Sequence, residues 1–169
     1  MRIASETRLA MSVLGKDGFE QRDAPTADID AILSEFERQE AWELTVHPIE
    51  EFPQFPLMHI DWHRGFGFVV MAFEDEQSIG FYPIRGTKCG TPEVPIELGG
   101  QALEKWPREL FVPRDLAAQA LKTFLRSGRQ DSSFVWVAND KFEREVIWED
   151  RAGRMVWGKA ARQVVQRNK

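Results

Sequence analysis

Residues 57–84 read LMHIDWHRGFGFVVMAFEDEQSIGFYPI. Their reading decides the fold. Leu57–Trp62 alternates in the way of a strand, Arg64-Gly65 marks a turn, and Phe66–Phe73 returns as the antiparallel partner. Glu74-Asp75-Glu76 is too charged for a strand interior and is expected at a hairpin tip. Gln77–Ile84 then reads as a third strand, with Ile79 and Phe81 on one face. Three consecutive antiparallel strands make a meander, not a βαβ unit, so the sheet is expected to be antiparallel.

Outward from that centre the periodicity changes. Ile29, Ile32, Leu33 and Phe36 recur at helical spacing, and Thr26 stands ready to cap a helix from Ala27 to about Gln39 or Glu40. Trp42, Leu44 and Val46 alternate with Glu43, Thr45 and His47 as in a half-buried strand. Residues 3–14 fit a strand or a short helix, Lys16-Asp17-Gly18 a turn, and 15–25 a loop. On the other side, 85–110 is rich in glycine and proline and reads as loops around one short strand at most. A second helix starts at Pro113 or Arg114. Its buried face is Leu116, Ala117, Ala120, Leu121, Phe124 and Leu125, and Gly128 closes it. Strands around Phe134–Trp136, Val146–Trp148 and Val156 complete the pattern. The expectation is α+β: a single domain over residues 1–169, with one mainly antiparallel sheet and two principal helices packed on it.

Composition bounds the function. The chain has 169 residues, enough for one ordinary domain with a substantial core. One cysteine excludes an internal disulfide framework and a cysteine-cluster metal site. There is no signal-peptide pattern and no run of eighteen apolar residues, so the expected location is cytoplasmic, without membrane contact. The net charge of −5 is uneven: residues 1–99 carry 18 acids against 8 bases, residues 100–169 only 9 against 14. Within 28–61, nine acids face Arg38 alone. Such a field repels nucleic acid and steers basic proteins. The six bases after Asp150 are too few to make a nucleic-acid-binding domain.

Motifs for chemistry are sparse. Neither a dinucleotide nor a phosphate-loop glycine pattern is present, nor a zincin or nucleophile-elbow pattern. Cys89 lies beside Lys88, which lowers a thiol pKa when close, but a nucleophile also needs a base. The best local constellation is His59-x-Asp61-x-His63, three potential ligands or acid–base groups on one strand face. Alternate strand residues stand about 6–7 Å apart, so convergence on a metal needs a bulge or turn. A polar sheet face or a partner surface is the plainer reading. Of the six tryptophans, Trp106 is singled out because it sits in the loop-like Glu104-Lys105-Trp106-Pro107.

Several of these features together resemble a known family. They are the hairpin through Arg64-Gly65-Phe66-Gly67 and the stretch Phe111-Val112-Pro113. They continue with the helix Ala117-x-x-Ala120-Leu121-x-x-Phe124-Leu125, its close at Ser127-Gly128-Arg129, and the strand bearing Phe134 and Trp136. Over residues 42–137 the chain resembles the first-catalogued immunity family of bacterial polymorphic toxin systems. A departure is Gln130-Asp131 where members often carry a proline. The resemblance implies a protein without catalytic turnover or cofactor. It implies a cognate toxin as partner, a nuclease or nucleic-acid deaminase encoded alongside, whose cleft is covered. Such a toxin is expected to be basic, because it grips nucleic acid. Charge clustering and loop placement nominate Glu50, Glu51, Asp61, Glu74, Asp75, Glu76 and Trp106 as contacts; the family itself does not specify them. The abundant Phe and Trp permit a homodimer. The competing classes are an adaptor module and a small metal-dependent enzyme built on His59, Asp61 and His63.

Overall fold

The computed structural model describes residues 8–23, 27–49, 55–75, 79–98, 102–149 and 152–159. Its centre is the expected meander. Strand β4 (Leu57–His63) pairs antiparallel with β5 (Gly67–Phe73) over seven residue pairs, and β5 continues to β6 (Phe81–Pro83). On the other flank β4 pairs with β3 (Ala41–Pro48), β3 with β1 (Leu9–Gly15), and β1 with β2 (Gly18–Arg22). Strand β9 (Trp136–Ala138) closes the far edge against β6. The order is β2-β1-β3-β4-β5-β6-β9, with every pair antiparallel.

Strand alternation then assigns the faces. Met11, Val13, Leu44, Val46, Met58, Ile60, Phe68, Val70 and Ala72 point to one side and are buried. Helices α1 (Ile29–Glu37) and α2 (Arg114–Ser127) cover them with Ile32, Leu33, Phe36, Ala117, Ala120, Leu121 and Phe124. Each large side chain removed from water there contributes roughly 1.5–3 kcal/mol. Alanines at 117, 118 and 120 let α2 lie close to its neighbours. Arg114 binds α2 to α1: it donates to Glu37 at 2.7 Å, to the Ser34 hydroxyl at 2.7 Å and to the Asp30 carbonyl.

Local chemistry fixes the helix ends. The Asp28 carboxylate accepts from the Ala31 N–H at 3.1 Å and caps α1. Gly128, with φ 65°, closes α2, and a Cβ there would meet the Pro56 ring at 2.7 Å. Beyond it, Asp131 is buried and accepts from the Thr123 hydroxyl, the Ser133 hydroxyl and amide, and Gln119. These bonds hold its carboxyl down to about 2 and tie the exit of α2 to the approach to β9. The entry to α2 is fixed by Val112, which exchanges two backbone hydrogen bonds with Phe68 at 2.8 and 2.9 Å.

A second antiparallel sheet of order β11-β10-β8-β7 comprises β7 (Pro92–Leu98), β8 (Ala102–Pro107), β10 (Glu145–Glu149) and β11 (Met155–Lys159). Its Val94, Ile96 and Trp106 pack with Leu110 and Phe111 against Val69, Tyr82 and Ile84. It therefore covers the other face of the main sheet at the β5–β6 end. Among the described residues, neither core takes in the side chains that β1, β3 and β4 place on this second face.

The two helices, the meander, the α2 closure and the terminal strand pair stand as expected; other expectations need correction. There are two sheets, not one. The segment read as loops around one strand, 85–110, holds the β7–β8 hairpin and a 3-10 turn at Arg108–Leu110. Pro92 and Pro95 disguised it. They are tolerated because β7 is an edge strand, where a missing N–H costs no ladder bond. The expected loop 15–25 contains β2. Helix α1 begins at Ile29 behind Asp28, not at Ala27 behind Thr26, and Thr26 lies outside the described residues. It ends at Glu37, ahead of Gln39 with φ 60°. The third meander strand is only Phe81–Pro83. Trp42 leaves the alternation of β3, because Leu14 pairs with Glu43 but Gly15 with Ala41. That bulge leaves Trp42 unpaired and 47% exposed.

Candidate functional site

The second face of the main sheet carries a continuous row of side chains. Register places Phe19 of β2 opposite Leu14 of β1, Leu14 opposite Glu43 of β3, Glu43 opposite Asp61 of β4, and Asp61 opposite Val69 of β5. At about 4.8 Å per strand the row spans about 19 Å. Exposure falls along it. Phe19 is 70% exposed at the edge, Leu14 and Glu43 are half-buried, and Val69 lies in the core under the second sheet. Asp61 stands at the boundary, which is why it loses most of its water.

That burial, with the Glu43 carboxylate opposite as a second cause, pushes the Asp61 carboxyl up to about 7. Like charges directly opposite on neighbouring strands repel. Among the described residues no lysine or arginine comes within ion-pair distance of Asp61 or Glu43.

A parallel row, Ser12, Thr45, His59 and Met71, lies one step along the strands. The Thr45 hydroxyl donates to Glu43 at 3.4 Å and lies within hydrogen-bond distance of the His59 Nδ1 at 3.0 Å. Burial holds His59 below its ordinary value, and Glu43, 3.8 Å away, works in the opposite sense. His47 donates from Nδ1 to the Pro48 carbonyl at 2.8 Å, and its Nε2 lies 3.1 Å from the buried Ser12 hydroxyl. His63 packs edge-on against the Phe111 ring at 5.4 Å, and burial lowers its pKa too.

His59, Asp61 and His63 thus share the face that strand periodicity assigned them. They do not converge: His59 turns to Thr45, and His63 to Phe111. Among the described residues no three His, Cys, Asp or Glu side chains form a group able to hold a metal ion.

The other nominated residues fall elsewhere. Trp106 is 6% exposed and belongs to the second core, and it stands in strand β8 where the sequence suggested a loop. Its indole N–H donates to Glu104 at 2.6 Å, and its ring meets those of Tyr82 and Phe142, with the Arg144 guanidinium above. Glu74 and Asp75 are exposed at the end of β5, and Glu74 accepts from the Gln130 N–H at 3.0 Å. Glu50, Glu51 and Glu76 lie outside the described residues. The Cys89 thiol is pushed up to about 11 by burial and by Glu109, so Lys88 does not activate it.

Phe19, Trp42 and Glu43 were absent from the nominated set. Phe19 was hidden in an apparent loop, and Trp42 in an apparent core alternation. Glu43 gains meaning only from its register against Asp61.

No protein-family model matches the chain, and no curated protein or solved structure matches it. Among the described residues no helix is long and apolar enough to cross a membrane.

Proposed function

We propose that this chain is a non-catalytic protein-binding domain of the immunity type, which neutralises a cognate secreted toxin by covering its cleft. The observation that carries the reading is the second face of the main sheet. There the exposed ring of Phe19 shares the face with two carboxylates, Glu43 and Asp61, that have no lysine or arginine partner among the described residues, and Trp42 is exposed at the bulge next to Glu43. Aromatic side chains supply much of the binding energy at protein interfaces. Uncompensated acids complement a protein whose own surface is built to grip phosphates. The family resemblance over residues 42–137 supplies the class of partner, a nuclease or nucleic-acid deaminase domain encoded alongside. A rigid sheet face offers such a domain a preformed surface, which keeps the entropic cost of docking low.

The test is co-expression with the toxin domain encoded next to this chain, followed by affinity measurement. Wild type is expected to protect cells and to form a stable complex. Phe19→Ala with Trp42→Ala is expected to weaken that complex at least tenfold while the protein stays folded, since both rings are exposed. Failure of the wild type to protect or to bind overturns the reading.

A further inference from the structure

We infer that β2 is the seam of a homodimer: its outer edge pairs antiparallel with the same edge of a second copy, and the main sheet runs on across a two-fold axis. The inference does not use the toxin reading. Strand β2 stands at the end of the main sheet, and Gly18, Phe19, Glu20 and Gln21 are all exposed. The other three sheet ends are guarded or short. Strand β7 carries Pro92 and Pro95, β9 has three residues, and β11 carries Gly158 and Lys159. Strand β2 has neither proline nor lysine, and its Phe19 ring is 70% exposed.

The hydrogen-bond phase of the hairpin decides which backbone groups face outward. The Ile49 N–H donates to the Arg8 carbonyl at 3.0 Å, and the Lys16 N–H donates to the Glu40 carbonyl at 2.9 Å. Even-numbered residues along β1 therefore direct their backbone groups to β3, and odd-numbered ones to β2. Val13 with Glu20 and Met11 with Arg22 are then hydrogen-bonded pairs of the hairpin. Phe19 and Gln21, opposite Leu14 and Ser12, turn their N–H and C=O outward. A second copy can bond to those groups with the axis at Phe19, Glu20 or Gln21. At Phe19 the overlap runs into the turn residue Asp17. At Glu20 two carboxylates meet across the axis and repel. At Gln21 the Glu20 of each copy stands opposite the Arg22 of the other, so the strand's own charge order complements itself. This self-complementarity favours a second copy over a foreign strand. Arg22 is already oriented by Glu35 at 2.9 Å and by its own Glu20 at 2.7 Å, so little side-chain freedom is lost when the other Glu20 arrives. One short strand pair is a small interface, and the dimer is expected to be half-formed between about 10 and 500 µM. The second face of the main sheet stays uncovered in both copies, so the dimer and a toxin complex are compatible.

Sedimentation equilibrium of the full chain from about 5 µM to 1 mM tests the seam, together with isotope-filtered NMR of mixed-labelled protein. Expected are a single monomer–dimer equilibrium and a contact between the Glu20 Hα of one copy and the Arg22 Hα of the other. Only the register centred on Gln21 brings those two atoms together, in a closely spaced non-hydrogen-bonded pair. Gln21→Pro removes an outward N–H and leaves the β1–β2 bonds in place, so it is expected to weaken association at least tenfold with the monomer's amide spectrum otherwise kept. Glu20→Arg sets like charges opposite each other at both ends of the seam and is expected to weaken it at least fivefold. A chain that is monomeric at 1 mM, or one whose association is indifferent to Gln21→Pro and Glu20→Arg, overturns the inference. So do intermolecular contacts in another register or centred on β11 or the second face, and so does a monomer whose β2 takes up a strand of a foreign partner instead.

Discussion

Replacing Asp61 by asparagine isolates the most unusual electrostatic feature of the fold. In the unfolded chain this carboxyl ionises near its ordinary value of 3.8; in the fold, burial and Glu43 push it up to about 7. The raised value has a definite sign for stability. Below about pH 4 the group is neutral in both states and costs nothing. As pH rises from there to about 7, the unfolded chain ionises freely while the folded one resists, so wild-type stability falls. Above about 7 the loss is complete. Three units at 1.36 kcal/mol each set a ceiling of about 4 kcal/mol. Asp61 keeps some contact with solvent, so a gain of about 2–4 kcal/mol is expected for Asp61→Asn at pH 8, a rise in Tm of roughly 5–15 °C. His59 and His63 act in the other direction, since burial lowers both and stability falls as they are forced to charge in acid. The difference between variant and wild type cancels them. The assay is urea unfolding of both proteins at pH 4, 5, 6, 7 and 8. The difference should be near zero at pH 4, grow steadily to pH 7 and level off. A variant no more stable than wild type at pH 8, or a difference independent of pH, would refute the account of Asp61.

Three further outcomes are expected. Gly67 has φ 126°, and a Cβ there would lie 2.6 Å from the Val112 carbonyl oxygen, so Gly67→Ala should break the bridge that seats α2. A loss of more than about 2 kcal/mol in urea unfolding is the check. Asp131→Asn removes a hydrogen-bonded carboxylate and should cost about 2 kcal/mol at pH 7; the wild-type contribution is present above the ordinary carboxylate range and fades as pH falls towards about 2. Cys89, with its thiol near 11, should react with iodoacetamide at pH 8 about a hundredfold more slowly than an unperturbed thiol, as read by mass spectrometry.

What could be read from sequence was what local period determines. The β4–β5 hairpin and the α2 helix with Gly128 are stated by residues near one another in the chain, and each stands where its pattern placed it. The β7–β8 hairpin was hidden because proline is judged by its local effect, whereas its tolerance at Pro92 and Pro95 depends on β7 lying at an edge. Val94 and Ile96 did keep the period of two beneath the prolines. The bulge at Trp42 is likewise set by the partner strand, not by β3 alone. The site divides in the same way. The common face of His59, Asp61 and His63 follows from alternation. The Glu43–Asp61 opposition requires the β3–β4 register, which a connecting segment of unpatterned sequence does not disclose. Trp106 was nominated for a loop setting that is a strand, and there its ring is core.

The central claim is that the second face of the main sheet binds a toxin domain. Affinity capture from the native cells, run in parallel with wild type and with the Phe19→Ala, Trp42→Ala double variant, tests it most directly. The account predicts that wild type brings down the C-terminal domain of a large secreted polypeptide encoded beside it, and that the variant recovers at most a tenth as much. Equal recovery by both proteins, or no such domain with wild type while the neighbour is expressed, would contradict it.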